Sequence, residues 1–323
     1  MRDVFQRVSA AGAARGTVLI VGESGTGKEV VARLIHKLSS RSQRTFLKVN
    51  CAALPSELLE SELFGYEPGA FTDARTQKIG LIELADGGTL FLDEITEIDP
   101  VTQAKLLKFL DTKRFRRLGG DRELSVETRV IAASNREIKD EVRDGRFRED
   151  FYYRLNVVEI RIPALRERRE DVETIANHYL DAYRKKFGKP ELTVSPAARA
   201  IIREYPWPGN VRELVNVIER AVLLCKDPVI EPHHLPIEMP AGNRRAAIVR
   251  RPDGNIELEL PTGIVTLDEV ERALIEATLK RTRGNVSRAA ELMGTSRGAL
   301  RNKLTRYKID ARSFHRPPLV LQD

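Results

Sequence analysis

From residue 17 to 163, short apolar runs alternate with stretches whose apolar positions repeat at helical spacing. "TVLIV" (17–21) reads as a buried strand, and "KEVVARLIHKL" (28–38) sets Val30, Val31, Leu34, Ile35 and Leu38 on one helical face. "TFLKV", "GTLFLD", "TRVIAAS" and "NVVEIRI" read as further strands. This alternation predicts a parallel sheet with helices on both sides. Asp99-Pro100 caps and opens a helix over "PVTQAKLLKFL", and "RFRRLGGDREL" places Gly119-Gly120 between the arms of a hairpin. From about residue 170 to 226 the pattern is helical only, with Ser195-Pro196 starting one helix and "GNVRELVNVIERAVLL" forming another. Residues 239–262 keep no period and carry Pro and Gly, which predicts a linker. Thr266 and Glu269 then make a capping box for "LDEVERALIEATLKRT", followed by the shorter helices "VSRAAELM" and "SRGALRNKLTRY" around "GTS".

Composition narrows this. The 323 residues are 41% hydrophobic and 31% charged, enough for two or three cored units. No apolar run reaches the ~18 residues of a membrane span, and "MRDVFQRVSA" lacks the apolar stretch of a signal peptide. Cys51 and Cys225 stand far apart without ligand spacing, so they are expected to pack as small apolar residues in a reducing cytoplasm. The net charge is +7, and it is concentrated at one end. Between Leu279 and Arg316 eleven basic residues face only Glu291 and Asp310, leaving the rest of the chain slightly acidic. A basic end on a near-neutral body indicates a nucleic-acid-binding module.

"GESGTGKE" (22–29) follows a strand and opens a helix. Such a loop wraps phosphates with backbone N–H groups, and Lys28 reaches the β and γ phosphates. The general pattern ends in Ser or Thr, whose hydroxyl helps hold Mg²⁺; here Glu29 stands there. Another carboxylate is available where "GTLFLDEI" ends in Asp93-Glu94. Asp93 is placed to order Mg²⁺ through water, and Glu94 to orient and deprotonate an attacking water. Asn50 and Asn135 end two other strands and should lie near the phosphates, although each also reads as a turn or cap residue. Arg148 and Arg154 in "GRFREDFYYRL" could stabilise charge on a transferring phosphoryl group, or form surface ion pairs.

Taken in order, "GESGTGKE", "ELFGYEPGAFTDA", "GGTLFLDEI", "FREDFYYRL", "IPALRERREDV", "WPGNVREL" and the terminal helices resemble bacterial enhancer-binding proteins, the AAA+ activators of sigma-54 RNA polymerase. The resemblance runs from residue 1 to about 310 and implies the following. The fold is α/β, a P-loop ATPase core with a parallel sheet (1–165) and a helical lid (166–238). A linker (239–263) leads to an all-α Fis-type helix-turn-helix domain (264–323). ATP and Mg²⁺ bind over Gly22, Glu23, Ser24, Gly25, Thr26, Gly27, Lys28 and Glu29. In this family the phosphate loop usually ends in Glu, as it does here. Asn50 resembles a switch residue that engages Glu94, Asn135 resembles sensor I, and Arg212 in "GNVREL" resembles sensor II. Arg148 and Arg154 match arginine fingers that reach a neighbouring protomer, so activity is expected to need a ring, a hexamer. "MRDVFQRV" is expected to begin inside the AAA+ domain, short of part of the adenine pocket and with no regulatory domain before it.

Within "GYEPGAFTDARTQKIG" (65–80), residues Gly69, Ala70, Phe71, Thr72, Asp73 and Ala74 match the family's GAFTGA loop, whose Phe and Thr contact the sigma factor. Asp73 replaces the second Gly, which removes a hinge and adds a charge at the tip. "NVSRAAELMGTSRGALRNKLTRY" fits a helix-turn-helix in which Ala289, Ala290 and Leu292 pack the first helix, Gly294 permits the turn, and Leu300 and Leu304 anchor the second. Arg297 and Asn302 are the candidates for reading bases. Arg288, Ser296, Arg301, Lys303 and Arg306 complete the DNA face, with Arg288, Lys303 and Arg306 expected on phosphates. "LDEVERALIEATL" is expected at a dimer interface on enhancer DNA. The expected function is ATP-driven activation of the sigma-54 polymerase holoenzyme, away from any membrane. The alternative is a DNA-binding regulator that responds to nucleotide without remodelling sigma-54.

Overall fold

Five short strands form one parallel sheet: β1 (Val18–Val21), β2 (Phe46–Asn50), β3 (Thr89–Asp93), β4 (Arg129–Ser134) and β5 (Val158–Arg161), in the order β2-β3-β4-β1-β5. Alternation along each strand divides their side chains between two cores. Val18, Ile20, Phe91, Ile131, Ala133 and Ile160 face helices α1 (Arg2–Ala13) and α2 (Lys28–Lys37) through Val4, Val8, Ala11, Ala32 and Ile35. Leu19, Val21, Leu90, Leu92, Val130 and Ala132 face α3 (Ser56–Phe64), α4 (Pro100–Thr112) and α5 (Glu149–Leu155) through Leu63, Phe109 and Phe151. This computed structural model describes residues 2–237, 247–250, 256–259, 267–307 and 309–315.

The chain divides into two units, Met1–Pro236 and Ile237–Asp323. The first also holds a helical lid of α6 (Arg169–Lys186), α7 (Pro196–Glu204) and α8 (Asn210–Leu224). Two of the predicted helix starts are built as the sequence suggests. Asp99 accepts the Val101 and Thr102 N–H groups at 2.9 and 3.0 Å, and Ser195 Oγ accepts that of Ala198 at 3.2 Å. The α2 face needs correction. Val30 and Leu38 are exposed, and the buried side runs through Lys28, Ala32, Ile35 and His36. The helix is rotated so that Lys28 points into the phosphate loop, which turns Val30 outward.

Arg129, at the start of β4, is a buried cation without a carboxylate partner among the described residues. Its guanidinium donates instead to Ala11 O (2.5 Å) and Gly12 O (3.4 Å), closing the C-terminal end of α1, where the helix dipole is negative. Arg129→Met should therefore orphan these carbonyls and loosen α1 from the sheet. The expected loss is about 2 kcal/mol, a drop in Tm of about 4–8 °C by calorimetry.

In the second unit, α9 (Leu267–Arg281), α10 (Val286–Leu292) and α11 (Arg297–Arg306) pack Ile275, Leu279, Ala289, Ala290, Leu300 and Leu304 into a small core. Leu292 was expected in it but is exposed, at the last residue of α10 where the helix face has turned away. Gly294 closes the turn at φ 61°, and Asn285 and Ser296 cap α10 and α11. The 239–263 stretch contains more than coil: Ala247–Arg250 pairs antiparallel with Ile256–Glu259. Two β-branched runs flank "RPDGN", a turn signal outweighed in the sequence by the surrounding Pro and Gly. Thr266 of the predicted capping box lies outside the described residues.

Candidate functional site

The C-terminal edge of the sheet carries the site. Gly22 N donates to Ser134 O at 3.2 Å, which sets the phosphate loop beside the end of β4. The loop then turns through Gly25 and Gly27, both at positive φ, into α2. Gly25 cannot be replaced without collision, because a Cβ there would stand 2.3 Å from Gly209 O. Lys28 Nζ folds over the loop and donates to Gly22 O (2.7 Å) and Glu23 O (3.1 Å). Burial pulls its ammonium below the ordinary lysine range, opposed by the charges of Asp93 and Glu94. A desolvated cation bonded to carbonyls alone is suited to receive phosphate oxygens.

Asn50 and Asp93 end neighbouring strands in register, and Glu94 follows at φ 57° and ψ 49°, a left-handed conformation costly for a residue of its kind. Cys51 is buried beside these acids, and burial together with their charge pushes its thiol well above the usual range. Both cysteines are free and buried; Cys51 packs in the apolar core as expected, whereas Cys225 Sγ departs from that expectation, lying 3.6 Å from His234 Nδ1 with Asp227 close by. Asn50 caps its own turn, with Oδ1 accepting Ala52 N–H at 3.1 Å, so in this structure it takes the cap role. Asn135, just past β4, has a buried side-chain oxygen with no hydrogen-bond partner among the described residues.

One residue at this edge escaped the sequence reading. Lys48 of β2 bonds the Glu29 carboxylate at 2.6 Å and stands 3.7 Å from Asp93. Its hydrogen bond, followed by that of Arg33, holds Glu29 below the usual carboxylate range. The residue in the hydroxyl position of the general motif is thus already committed to two cations. Asp93 and Glu94 are the other acids at this edge, both close enough for their charge to act on Lys28.

Residues of the lid and of the turn before it also contact the loop. Arg212 Nη1 donates to Ser24 Oγ at 2.9 Å, and Arg168 Nη2 to Thr26 O at 3.0 Å. Arg166 forks onto Glu23, and the buried Asn210 donates to Glu23 Oε2 and Ser24 O at 3.1 and 3.0 Å. The hydrogen bonds from Arg166 and then Asn210 depress the Glu23 pKa to about 2. Arg148 and Arg154 instead pair with Asp150 (2.7 Å) and Asp111 (2.8 Å). No hydrogen bond or ion pair joins either to the phosphate loop among the described residues of one protomer.

The 65–80 segment is a hairpin, with Gly65–Tyr66 paired to Lys78–Ile79. Its tip is a tight turn: Ala74 N donates to Phe71 O (2.9 Å) and Gly69 N to Ala74 O (2.8 Å). Asp73 fits this turn without positive φ, so its backbone does not require the lost glycine here. Phe71, Thr72 and Asp73 are exposed, Phe71 by 46%, with its ring edge-on to Tyr66. The predicted 114–124 hairpin lies beside it, with Arg114–Arg116 paired to Glu123–Ser125. Arg117 binds Glu67 of the first hairpin and Glu83 behind it, and Gly119 sits so close that a Cβ would lie 2.8 Å from Ala70.

Known proteins carry the same parts in the same order. The Sigma-54 interaction domain matches residues 1–161, the AAA+ ATPase lid domain 166–250 and the Bacterial regulatory protein, Fis family 266–307. Regulatory protein AtoC of Escherichia coli K12 is 45% identical over 312 residues, which make up 96% of this chain and 66% of AtoC. Transcriptional regulatory protein ZraR of the same strain is 44% identical over 306 residues, 95% of this chain and 67% of ZraR. The chain belongs to the sigma-54-dependent AAA+ activators. A crystal structure of NtrX from Brucella abortus in complex with ATP is 32% identical, with a TM-score of 0.68, over 96% of this chain and 68% of NtrX. The core is accordingly an AAA+ P-loop NTPase domain, and no described helix is long and apolar enough to cross a membrane.

In the unit that matches the Fis family, Arg288, Ser296, Arg297, Arg301, Asn302 and Arg306 are exposed. Lys303 and Arg306 are engaged within the unit, Lys303 with Glu271 and Arg306 with Asp268 of α9 (3.1 Å). Tyr307 donates to the same two carboxylates at 2.6 and 2.9 Å. Among the described residues, Arg297, Arg301 and Asn302 on α11 and Arg288 on α10 form no such pairs.

Proposed function

We propose that this chain is an ATP-driven transcription activator that binds enhancer DNA and remodels the sigma-54 polymerase holoenzyme in the cytoplasm. The observation that carries the reading is the exposed Phe71–Thr72 tip, built into the same unit as a phosphate loop and the Asp93-Glu94 edge. Lys28 leaves its loop carbonyls for the β and γ phosphates. Gly22, Gly25, Thr26 and Gly27 offer backbone N–H groups to them. Asp93 would hold Mg²⁺, which would supply positive charge against the phosphate oxygens. Glu94 takes a proton from the attacking water, which adds to the γ-phosphorus as the bond to the β-phosphate oxygen breaks. Asn135 orients that water, and Asn50 rotates from its cap to Glu94 when the γ-phosphate is present. Arg212 reaches across from the lid, and Arg148 and Arg154 leave their aspartates for the nucleotide of the next protomer in a hexameric ring. Arg297 and Asn302 read base edges, while Arg288 and Arg301 hold phosphates of two half-sites bound by a dimer.

The test is transcription from a sigma-54 promoter carrying its enhancer, with purified holoenzyme. Open complexes that require ATP and this protein are expected. ATP hydrolysis without open complexes would instead identify a nucleotide-responsive DNA-binding regulator that does not engage sigma-54.

A further inference from the structure

The phosphate loop has two faces, and Glu23 belongs to both. Its carbonyl accepts Lys28 on the nucleotide side, while its carboxylate points to the lid. There it meets Arg166, in the Leu165–Glu167 turn joining core to lid, and Asn210, the first residue of α8. Asn210 is fully buried and held at φ 55°, a strained setting retained where the surroundings demand it. Its amide ties three separate segments: Oδ1 accepts Leu165 N–H at 2.8 Å, and Nδ2 donates to Ser24 O and Glu23 Oε2. Two residues further on, Arg212 N donates to Gly25 O at 3.3 Å, and its side chain rests on Ser24.

We infer that Glu23, Arg166 and Asn210 form a pivot that fixes the lid against the phosphate loop and sets the position from which Arg212 reaches the nucleotide. They are positioning residues for turnover and do not touch the substrate with their side chains. The inference rests on the reading of this site as an ATPase. The pivot also links Lys28 to the lid through one residue, so lid movement and capture of phosphate by Lys28 are mechanically joined at Glu23.

The experiment uses the full chain with Glu23→Gln, Arg166→Met and the double variant. Both side chains of the ion pair are more than two-fifths exposed, so folding should survive. The expected result is a kcat for ATP hydrolysis lowered by about tenfold in each single variant and by the same factor in the double, since the two act through one contact. KM should shift by less than about threefold, with Arg166→Lys recovering part of the rate. Amide hydrogen exchange over 164–168 and 209–213 should quicken by about tenfold in the single variants, with or without ADP. Wild-type kcat and exchange in the singles, effects that multiply in the double, or exchange quickened equally throughout the unit would each overturn the pivot. If wild type itself hydrolyses no ATP, the ATPase reading fails, while the exchange comparison still judges the contact.

Discussion

Glu94→Gln should stop ATP turnover, lowering kcat by about 10²–10⁴-fold, with ATP affinity within a few-fold of wild type. The side chain differs from the native one by a single proton-accepting oxygen, so sterics and the αL backbone at φ 57° are preserved. Lys28, the loop backbone and Asp93 still bind phosphate and metal, because none depends on the Glu94 charge for its position. Lys28 is held by carbonyls of its own loop, and Asp93 stands next to Lys48. The measurement is steady-state phosphate release beside binding of a fluorescent ATP analogue. A loss of less than about tenfold would mean that another group activates the water. A parallel loss of binding would mean that Glu94 serves the structure of the site.

The second large effect separates hydrolysis from its use. Phe71→Ala should leave ATPase activity within about twofold of wild type and reduce open complexes by roughly thirtyfold or more, the cost of removing an aromatic anchor worth about 2 kcal/mol. The turn itself should persist, since its bonds are between backbone atoms: Ala74 N to Phe71 O, and Gly69 N to Ala74 O. Loss of the ring exposes Tyr66, its one aromatic neighbour among the described residues, without opening a core cavity. Footprinting of the melted promoter reads the outcome. Normal melting would remove Phe71 from the polymerase contact and favour a regulator that works on DNA alone.

The main lines of this fold are legible in the residues. Continuous apolar runs in "TVLIV" and "TRVIAAS" mark strands buried on both faces, and the glycines before Lys28 mark the loop. Asp99 and Ser195 each cap a helix through a side-chain oxygen. What escaped depends on contacts between distant segments. Lys48 in "FLKVN" resembles any polar residue on a strand until β2 lies beside β3 and α2 brings up Glu29. Arg166 and Asn210 acquire partners 143 and 187 residues away, and local spacing carries no trace of them. Arg117 looks like one of four basic residues in a hairpin until the 65–80 loop closes over it. Val30, Leu38 and Leu292 were misplaced because an apolar residue states a preference for burial, while helix rotation is settled by neighbours such as Lys28.

The pairs formed by Lys303 and Arg306 change what the basic end presents to the double helix. A count along the sequence treats every lysine and arginine there as a charge that can displace counterions. Two of these cations already pair with carboxylates of α9 and tie α11 to that helix. On the proposed reading, DNA would therefore meet a surface with fewer free cations, and discrimination between sequences would owe more to geometry than to long-range attraction.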